Sequence, residues 1–320
     1  MSPLLKRKIL LLFIILLLAI LWGIAKGSVD VSLVELFLKE NRQILYLRLA
    51  RILLAIVAGS GLAVSGIALQ ATLRNPLAEP YLLGTSSGAG LGAVIAIIMG
   101  IYRIYLPFAA FIGAILSVIL VYAIARERTR IRVQSLILSG VIVSITLSAI
   151  IVFLISVSGN EALHGLMWWL WGNLQVYDFK LLLIVSAVVF MGIIAIFAFS
   201  QDLNAISIGE EEAIHLGIRV ERIKKILILI TSLISASLVS VCGIIGFVGL
   251  IIPHIVRLII GANHKFLIPV SCLGGAAFMV TCDVVSRTIF PPLEIPIGVI
   301  TAIIGAPVFI VLLKRTQRVK

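Results

Sequence analysis

The sequence predicts an all-α membrane protein of about ten transmembrane helices, organised as a single domain over residues 1–320. Three observations predict it. Of the 320 residues, 61% are hydrophobic and only 12% are charged, which no water-soluble domain shows. The mean hydropathy is +1.22. Apolar runs alternate with short polar breaks, and the runs have the roughly 20-residue length that crosses a bilayer.

The apolar runs define ten candidate spans in chain order. The seventh and eighth are separated only by Gly243, Gly246 and Gly249, so a single kinked helix is the alternative there. The spans are predicted at residues 9–25, 50–72, 81–100, 104–125, 133–156, 180–200, 224–241, 243–261, 266–286 and 296–313.

The first apolar run has two interpretations. Lys6, Arg7 and Lys8 precede it, as in a secretory signal, and Gly23 to Ala25 resembles a small-residue cleavage site. The run is long for a signal core and carries Trp22 near its end. A retained first span is therefore favoured.

The net charge of +12 is distributed in short clusters between apolar runs, which argues against a nucleic-acid-binding stripe. With ten spans and the N-terminus inside, most basic residues fall in cytoplasmic loops, as the positive-inside rule requires. The chain is thus predicted to be a multi-pass protein of the cytoplasmic (inner) cell membrane with both termini cytoplasmic. An aromatic belt then lies at the outer interface, formed by Trp168, Trp169, Trp171, Tyr102 and Tyr105.

No enzyme chemistry, cofactor or metal is predicted. The three cysteines, Cys242, Cys272 and Cys282, lie in apolar runs without a CxxC or histidine pairing. The chain has no phosphate-binding loop, no HExxH and no Ser/His/Asp set on a soluble domain. If transport is driven by ATP, another polypeptide must hydrolyse it.

Residues 201–225 form the long polar island of the second half. Ser207 and Glu210 have the spacing of a capping box, and the acidic residues from Glu210 favour a helix N-terminus. Gly217 is expected to end the helix by adopting the left-handed backbone conformation. These signals predict a helix over 208–216.

Such a helix of about two turns is too short to be stable alone, so it must dock on something. The apolar spacing of Ala213 and Leu216 fits a short helix that binds a partner protein on one side of the membrane. An ordinary solvated loop helix remains the alternative at this point.

A second amphipathic stretch, 161–171, is too short to cross the membrane. It is predicted to lie on the outer surface, with His164 on its polar side as a solvated residue.

Several polar residues lie where lipid would disfavour them. Arg48 and Arg51 are at the outer mouth of the second span, and Gln70 is near its inner end. Asp283 and Arg287 are four residues apart and can form an ion pair, with a structural role and a pathway role both open. His254, after Pro253, is predicted to cap or kink its helix locally.

Small residues predict where helices touch, because they let backbones approach closely in lipid. They fill the middle of the second span between Gly59 and Gly66, and Gly88 and Gly92 form a GxxxG pattern in the third.

Several stretches together closely resemble the permease subunits of ABC importers for iron-siderophores, haem and vitamin B12. The resemblance covers nearly the whole chain, in order. The stretches are RLAR at 48–51, QATLRNPLAEP at 70–80, LGTSSGAG at 83–90, IGEEEAIHLG at 208–217, GFVGLIIPHIVR at 246–257, EIPIG at 294–298 and GAPVF at 305–309.

The resemblance implies a vitamin B12 importer permease-like fold that works as a homodimer in the lipid bilayer, with two cytoplasmic ATPase subunits and an extracytoplasmic substrate-binding protein. The polar island then matches the short cytoplasmic coupling helix that seats in the ATPase. The coupling positions carried over are Gly209, Glu210, Ala213, Leu216 and Gly217.

The resemblance assigns two further sets of residues. Arg48, Arg51 and Arg287 match outer arginines that receive glutamates of the binding protein, and Asn75, Pro76 and Leu77 match a loop that narrows the cytoplasmic exit. One departure is Ala50, where the family often has proline between the outer arginines. The cargo stays open, and an ion-coupled secondary transporter, which would depend on Asp283 or His254, is the competing hypothesis.

Overall fold

The computed structural model describes residues 3–29, 31–32, 34–101, 105–127, 130–158, 167–176 and 178–318. Its long helices are α1 (Pro3–Ala25), α2 (Arg42–Thr72), α3 (Thr85–Ile98), α4 (Tyr105–Ala125), α5 (Val133–Val157), α6 (Phe179–Ala198), α9 (Val220–Cys242), α10 (Val248–Ile260), α11 (His264–Thr288) and α12 (Ile297–Arg318). Two short helices, α7 (Ser200–Ile208) and α8 (Glu210–His215), lie between α6 and α9.

These ten long helices coincide with the ten predicted spans. Seven are long and apolar enough to cross a membrane, and three shorter apolar helices correspond to α3, α10 and α12. The remaining regular structure described is minor: 3-10 turns at Glu35–Phe37, Lys39–Asn41 and Pro80–Leu83, and an antiparallel pair, β1 (Arg126–Glu127) and β2 (Arg130–Ile131).

The seventh and eighth spans are two helices. α9 ends before Gly243, which has φ +68°, and α10 begins after Phe247, which has φ +70°. Gly243 also touches the backbone of Trp169 and Gly172 so closely that a side chain at this position would overlap them. Positive φ and backbone crowding together break the helix here, which excludes the kinked-helix alternative.

α2 lies at the centre of the bundle and is buried from Ala58 to Thr72 without interruption. Its small residues bring other backbones close, because a Cβ on Gly59 would overlap the carbonyl of Gly275 in α11. One on Gly66 would overlap the carbonyl of Gly249 in α10. The predicted close packing of the second span is confirmed, and so is that of the third, where Gly88 and Gly92 meet the backbone of α4.

α1 belongs to this bundle. Gly23 packs against Ile52 of α2 and Val284 of α11, and the Lys8 ammonium donates to the carbonyl of Ile259. These contacts support a retained first span.

The loop between α2 and α3 also enters the bundle. The Glu79 carboxylate accepts a hydrogen bond of 2.8 Å from the Phe247 N–H, and the Tyr81 hydroxyl accepts one of 3.4 Å from the Ile245 N–H. Side chains of the segment 73–84 thus satisfy backbone N–H groups of the non-helical segment 243–247. Irregular backbone at membrane depth needs this protection from lipid.

The predicted surface helix at 161–171 is described only in part. Residues 167–170 are helical, and the rings of Trp168 and Trp171 meet edge to face at 6.2 Å. Residues 161–166, with His164, and the belt residue Tyr102 lie outside the described residues.

Candidate functional site

The polar island folds as two helices meeting at Gly209, so the predicted capping box is wrong. Ser207 lies inside α7, where its hydroxyl donates to the Leu203 carbonyl at 2.7 Å, the local bond that helical serines make. Gly209 has extended backbone (φ −178°) and precedes α8. The carboxylate of the exposed Glu212 folds back over Gly209, so a side chain at this position would displace it. The predicted stop holds, since Gly217 has φ +81°.

Of the five residues assigned to this segment, two are packed against the rest of the chain and Leu216 is exposed. Glu210 pairs with the ammonium of the buried Lys224 at 2.5 Å, and Ala213 is fully buried. Leu216 is 70% exposed. Glu210 and Ala213 therefore hold α8 against α9, while Leu216 faces outwards.

Two further exposed apolar residues flank Leu216 and were missed from the sequence. Ile208 is 70% and Ile214 59% exposed. No helical periodicity joins them, because the break at Gly209 resets the helix between Ile208 and Ile214. We call Ile208, Ile214 and Leu216 the apolar tip, and the end of the bundle that carries it the α8 face.

The Glu210–Lys224 pair gives a direct test of the supporting role. Glu210→Lys is expected to detach α8 and strongly reduce transport, because it sets two cations together at a buried ammonium. Combining it with Lys224→Glu is expected to restore transport, as measured by cargo uptake into cells. A Glu210→Lys chain with full uptake would show that this pair is dispensable.

At the opposite end of the bundle, two buried arginines lie next to acidic partners. The Arg51 Nε is 2.6 Å from Asp283 Oδ1, and its Nη1 is 2.8 Å from Glu294 Oε2. The Arg287 Nη2 is 2.9 Å from Asp283 Oδ2. The i, i+4 pair of Asp283 and Arg287 predicted from the sequence is therefore present, and Arg51 joins it from α2.

Arg48 reaches a different partner. Its guanidinium donates to the carbonyls of Ile24 and Val29 at 2.7 and 2.8 Å, which ties the end of α1 to α2. Arg48, Arg51 and Arg287 are 5%, 9% and 3% exposed. We call Arg48, Arg51, Arg287, Asp283 and Glu294 the arginine cluster, and this end of the bundle the arginine face.

A cavity of about 370 Å³ opens on the arginine cluster. Arg48, Arg51, Arg287 and Glu294 line it, together with Gln175, whose amide donates to Glu294 at 3.4 Å. Burial alone would raise the pKa of Glu294, but the Arg51 guanidinium outweighs burial and holds that pKa below its ordinary value. Glu294 is therefore ionised at neutral pH.

A lowered pKa means that the ionised Glu294 stabilises the fold above the pH where an ordinary glutamate ionises, 4.5, and that this stabilisation disappears as the pH falls through the lowered value. Glu294→Gln is expected to lower the apparent melting temperature in detergent at neutral pH. The difference from the unsubstituted chain should vanish in acid. A difference that stays constant between pH 7 and pH 3 would contradict this assignment.

The loop with Asn75, Pro76 and Leu77 is anchored at both ends. The Asn75 side chain accepts from the Leu77 N–H at 2.9 Å and its own N–H donates to Gln70 at 3.1 Å. The adjacent Arg74 donates to the Ile208 carbonyl at 3.4 Å. Leu77 is 46% exposed, so the loop presents an apolar side chain near the apolar tip.

Gln70 and Asp283, two polar residues within the spans, bind residues of other helices. The Gln70 amide donates to the Gly249 carbonyl at 3.1 Å and its oxygen accepts from Arg257 at 3.1 Å. Asp283 is fully buried between Arg51 and Arg287. Each acid or amide thus secures a contact between helices, which is the structural role left open from the sequence.

The described residues form a bundle of apolar helices, seven of them long and apolar enough to cross a membrane, which is the architecture of a multi-pass membrane protein. The model of the FecCD transport family matches residues 11–315. The chain belongs to the FecCD transport family.

Its relatives agree with that membership. The chain is 43% identical over 269 residues to a cobalamin import system permease protein of Halobacterium salinarum, covering 84% of this chain and 72% of the relative. It is 36% identical to a hemin transport system permease protein of Yersinia pestis, covering 86% and 84%. A solved inward-facing structure of a metal-chelate type ABC transporter superposes with a TM-score of 0.88 at 32% identity, covering 97% of this chain and 99% of that one.

Proposed function

We propose that this chain is the translocating permease of an ATP-driven importer that carries a metal chelate, such as an iron-siderophore or haem, or cobalamin. The observation that carries the proposal is the family match over residues 11–315. The relatives differ in the cargo that their names state. An ATPase chain must supply the hydrolysis, because this sequence contains no phosphate-binding loop.

The proposed assembly is a homodimer with two ATPase subunits on the α8 face and a substrate-binding protein on the arginine face. The exposed apolar tip supports the first contact, since apolar residues at a polar loop are suited to a protein groove. The α8 face would then be cytoplasmic, which agrees with the basic residues concentrated at 126–132 and 219–225.

The arginine face is proposed to receive carboxylates of the binding protein. Arg48, Arg51 and Arg287 line a cavity that a carboxylate side chain could enter. Glu294 already pairs with Arg51. An incoming carboxylate would therefore have to share Arg51 with Glu294 or take the place of Glu294. Such contacts govern docking rate and orientation more than affinity.

In the proposed cycle, ATP draws the two ATPase subunits together and moves α8, and rigid helices pass the movement to gates at both ends. Asn75, Pro76 and Leu77 are proposed to narrow the exit on the α8 face. Energy is used through the different stabilities of two permease states. A large chelate must leave easily, so few tight contacts with the cargo are expected.

The test is to purify the tagged chain in mild detergent from its own cell membrane and identify its companions by mass spectrometry. An ATPase subunit in equal amount is the expected result, and its neighbouring genes would identify the binding protein. A chain that purifies alone from cells shown to make it would favour an ion-coupled transporter and direct mutagenesis to Asp283 and His254.

The proposed orientation has its own test. A membrane-impermeant maleimide added to intact cells is expected to label Leu293→Cys, whose parent residue is 73% exposed on the arginine face, and to miss Glu211→Cys. Cys242 and Cys282 are buried and Cys272 is partly exposed, so both variants are made in a Cys272→Ser background to keep other labelling low. Labelling of Glu211→Cys from outside would reverse the orientation.

A further inference from the structure

A side-chain network joins α7 to the beginning of α11. The Asn204 Oδ1 accepts two hydrogen bonds from His264, one from the backbone N–H at 2.8 Å and one from Nδ1 at 2.7 Å. The Asn204 Nδ2 donates to Asn263 Oδ1 at 3.3 Å. Asn263 Oδ1 in turn caps α11 by accepting from the Lys265 N–H at 3.0 Å. One amide thus engages both residues that begin α11.

The network fixes the chemistry of the His264 ring. Because Asn204 Oδ1 is an acceptor, Nδ1 must carry the proton. His264 is only 3% exposed, and its Nε2 has no hydrogen-bond partner among the described residues. Asn204 is therefore the residue that holds this buried ring through its polar edge. Removing it would leave Nδ1 and the His264 N–H unsatisfied in a buried place.

The two helices joined by Asn204 lead to the two functional ends of the molecule. α7 ends at Ile208, and α8, which carries the apolar tip, follows after Gly209. α11 runs from His264 through Gly275, where it meets α2, to Asp283 and Arg287 in the arginine cluster. At 1.5 Å per residue, the 23 steps from His264 to Arg287 span about 35 Å.

We propose that Asn204 is a positioning residue that couples α8 to α11, so that movement of α8 on the ATPase reaches the arginine cluster along one continuous helix. The inference rests on the proposed function. Other contacts join these parts of the chain: Arg74 donates to the Ile208 carbonyl at 3.4 Å, and Lys224 pairs with Glu210. Arg74 follows the end of α2, which carries Arg48 and Arg51, and Lys224 belongs to α9. The Asn204 bonds lead instead to α11, which carries Asp283 and Arg287.

Coupling of this kind is reciprocal. Docking of the binding protein at the arginine face would change the activity of the ATPase through the Asn204 contact. ATP binding would act on the arginine face through the same contact. Asn204 is therefore expected to affect the ratio of cargo moved to ATP hydrolysed, while assembly continues to depend on the apolar tip.

The test uses the whole complex in proteoliposomes with its binding protein and compares three variants of α7. Asn204→Leu has a similar volume and no hydrogen bonds, Asn204→Asp keeps the acceptor for His264, and Ser207→Ala removes only the local bond to Leu203. Radiolabelled cyanocobalamin, a ferric siderophore and haemin are the probes, and the ratio is measured with whichever the unsubstituted complex carries.

Asn204→Leu is expected to keep the ATPase subunit and its basal hydrolysis while the ratio of cargo to ATP falls about fivefold or more, the low end of typical coupling. Asn204→Asp should recover most of that ratio, and Ser207→Ala should behave as the unsubstituted chain. If Asn204 were only structural, both Asn204 variants would lower the yield of assembled complex, and the ratio of cargo to ATP in the complex that remains would be unchanged.

An unchanged ratio in Asn204→Leu overturns the inference. If that variant does not assemble, Asn204→Ala takes its place under the same criterion. An unsubstituted complex that lacks an ATPase subunit contradicts the proposed function itself, whereas a coupled complex with an unchanged variant contradicts only the role of Asn204.

Discussion

Loss of the ATPase subunit is the expected result when both Ile214 and Leu216 are replaced by serine. The two side chains are 59% and 70% exposed, so little stability within the chain depends on them. Burying two such side chains in a partner groove is worth about 3 kcal/mol or more, which corresponds to at least a hundredfold in the dissociation constant. Transport should fall to background while the melting temperature of the isolated chain stays unchanged.

The matched control for this result is Leu216→Met, which keeps an apolar side chain of similar volume and is expected to retain the ATPase. Co-purification from membranes and cargo uptake measure both variants side by side. If the double serine variant holds its ATPase as firmly as the control, then the apolar tip is not the contact and the coupling assignment of Leu216 fails with it.

The contrast between the apolar tip and its supports shows what the sequence could predict. The resemblance placed Glu210 and Leu216 in one functional segment, and the structure gives them different tasks: Glu210 pairs with Lys224 and Leu216 faces outwards. The capping box failed because Ser207 belongs to the preceding helix, where its hydroxyl bonds Leu203. Short-range spacing rules cannot tell which of two adjacent helices includes a residue.

The spans were predictable because lipid imposes length and apolarity on every crossing helix. Partners across the bundle were not. Arg51 reaches Asp283, which is 232 positions away, and no periodicity in either helix points to the other. The Asp283–Arg287 pair was found because both residues lie on one helix at i, i+4. The Asn204 network was missed for the same reason as the Arg51 pair. An asparagine in a polar segment carries no sequence signal for its partner, and only the fold brings it to His264.

The second large effect is expected at the crossing of α2 and α11. Two adjacent glycines in α11 give a matched pair, because a Cβ on Gly275 would overlap the Gly59 carbonyl, whereas one on Gly274 would meet only Ile252 and Val256 at 3.4 and 3.5 Å. Alanine is the better helix former by about 1 kcal/mol, so Gly274→Ala should be neutral or stabilising. Gly275→Ala should destabilise by about 1–3 kcal/mol, as overpacking does, and lower the apparent melting temperature in detergent.

The same contact predicts how the stability losses of substitutions in the two helices combine. A Cβ on Gly59 would overlap the Gly275 carbonyl in the reciprocal manner, so Gly59→Ala should also lower the melting temperature. Once one alanine has forced the backbones apart, the second meets less resistance, and the double variant should lose less than the sum of the single losses. Strict additivity would mean that the two glycines are independent and that close approach of α2 and α11 does not stabilise the bundle. Because α11 is also the proposed connection between the two faces, a Gly275→Ala chain that still folds should transport less than a Gly274→Ala chain of equal abundance.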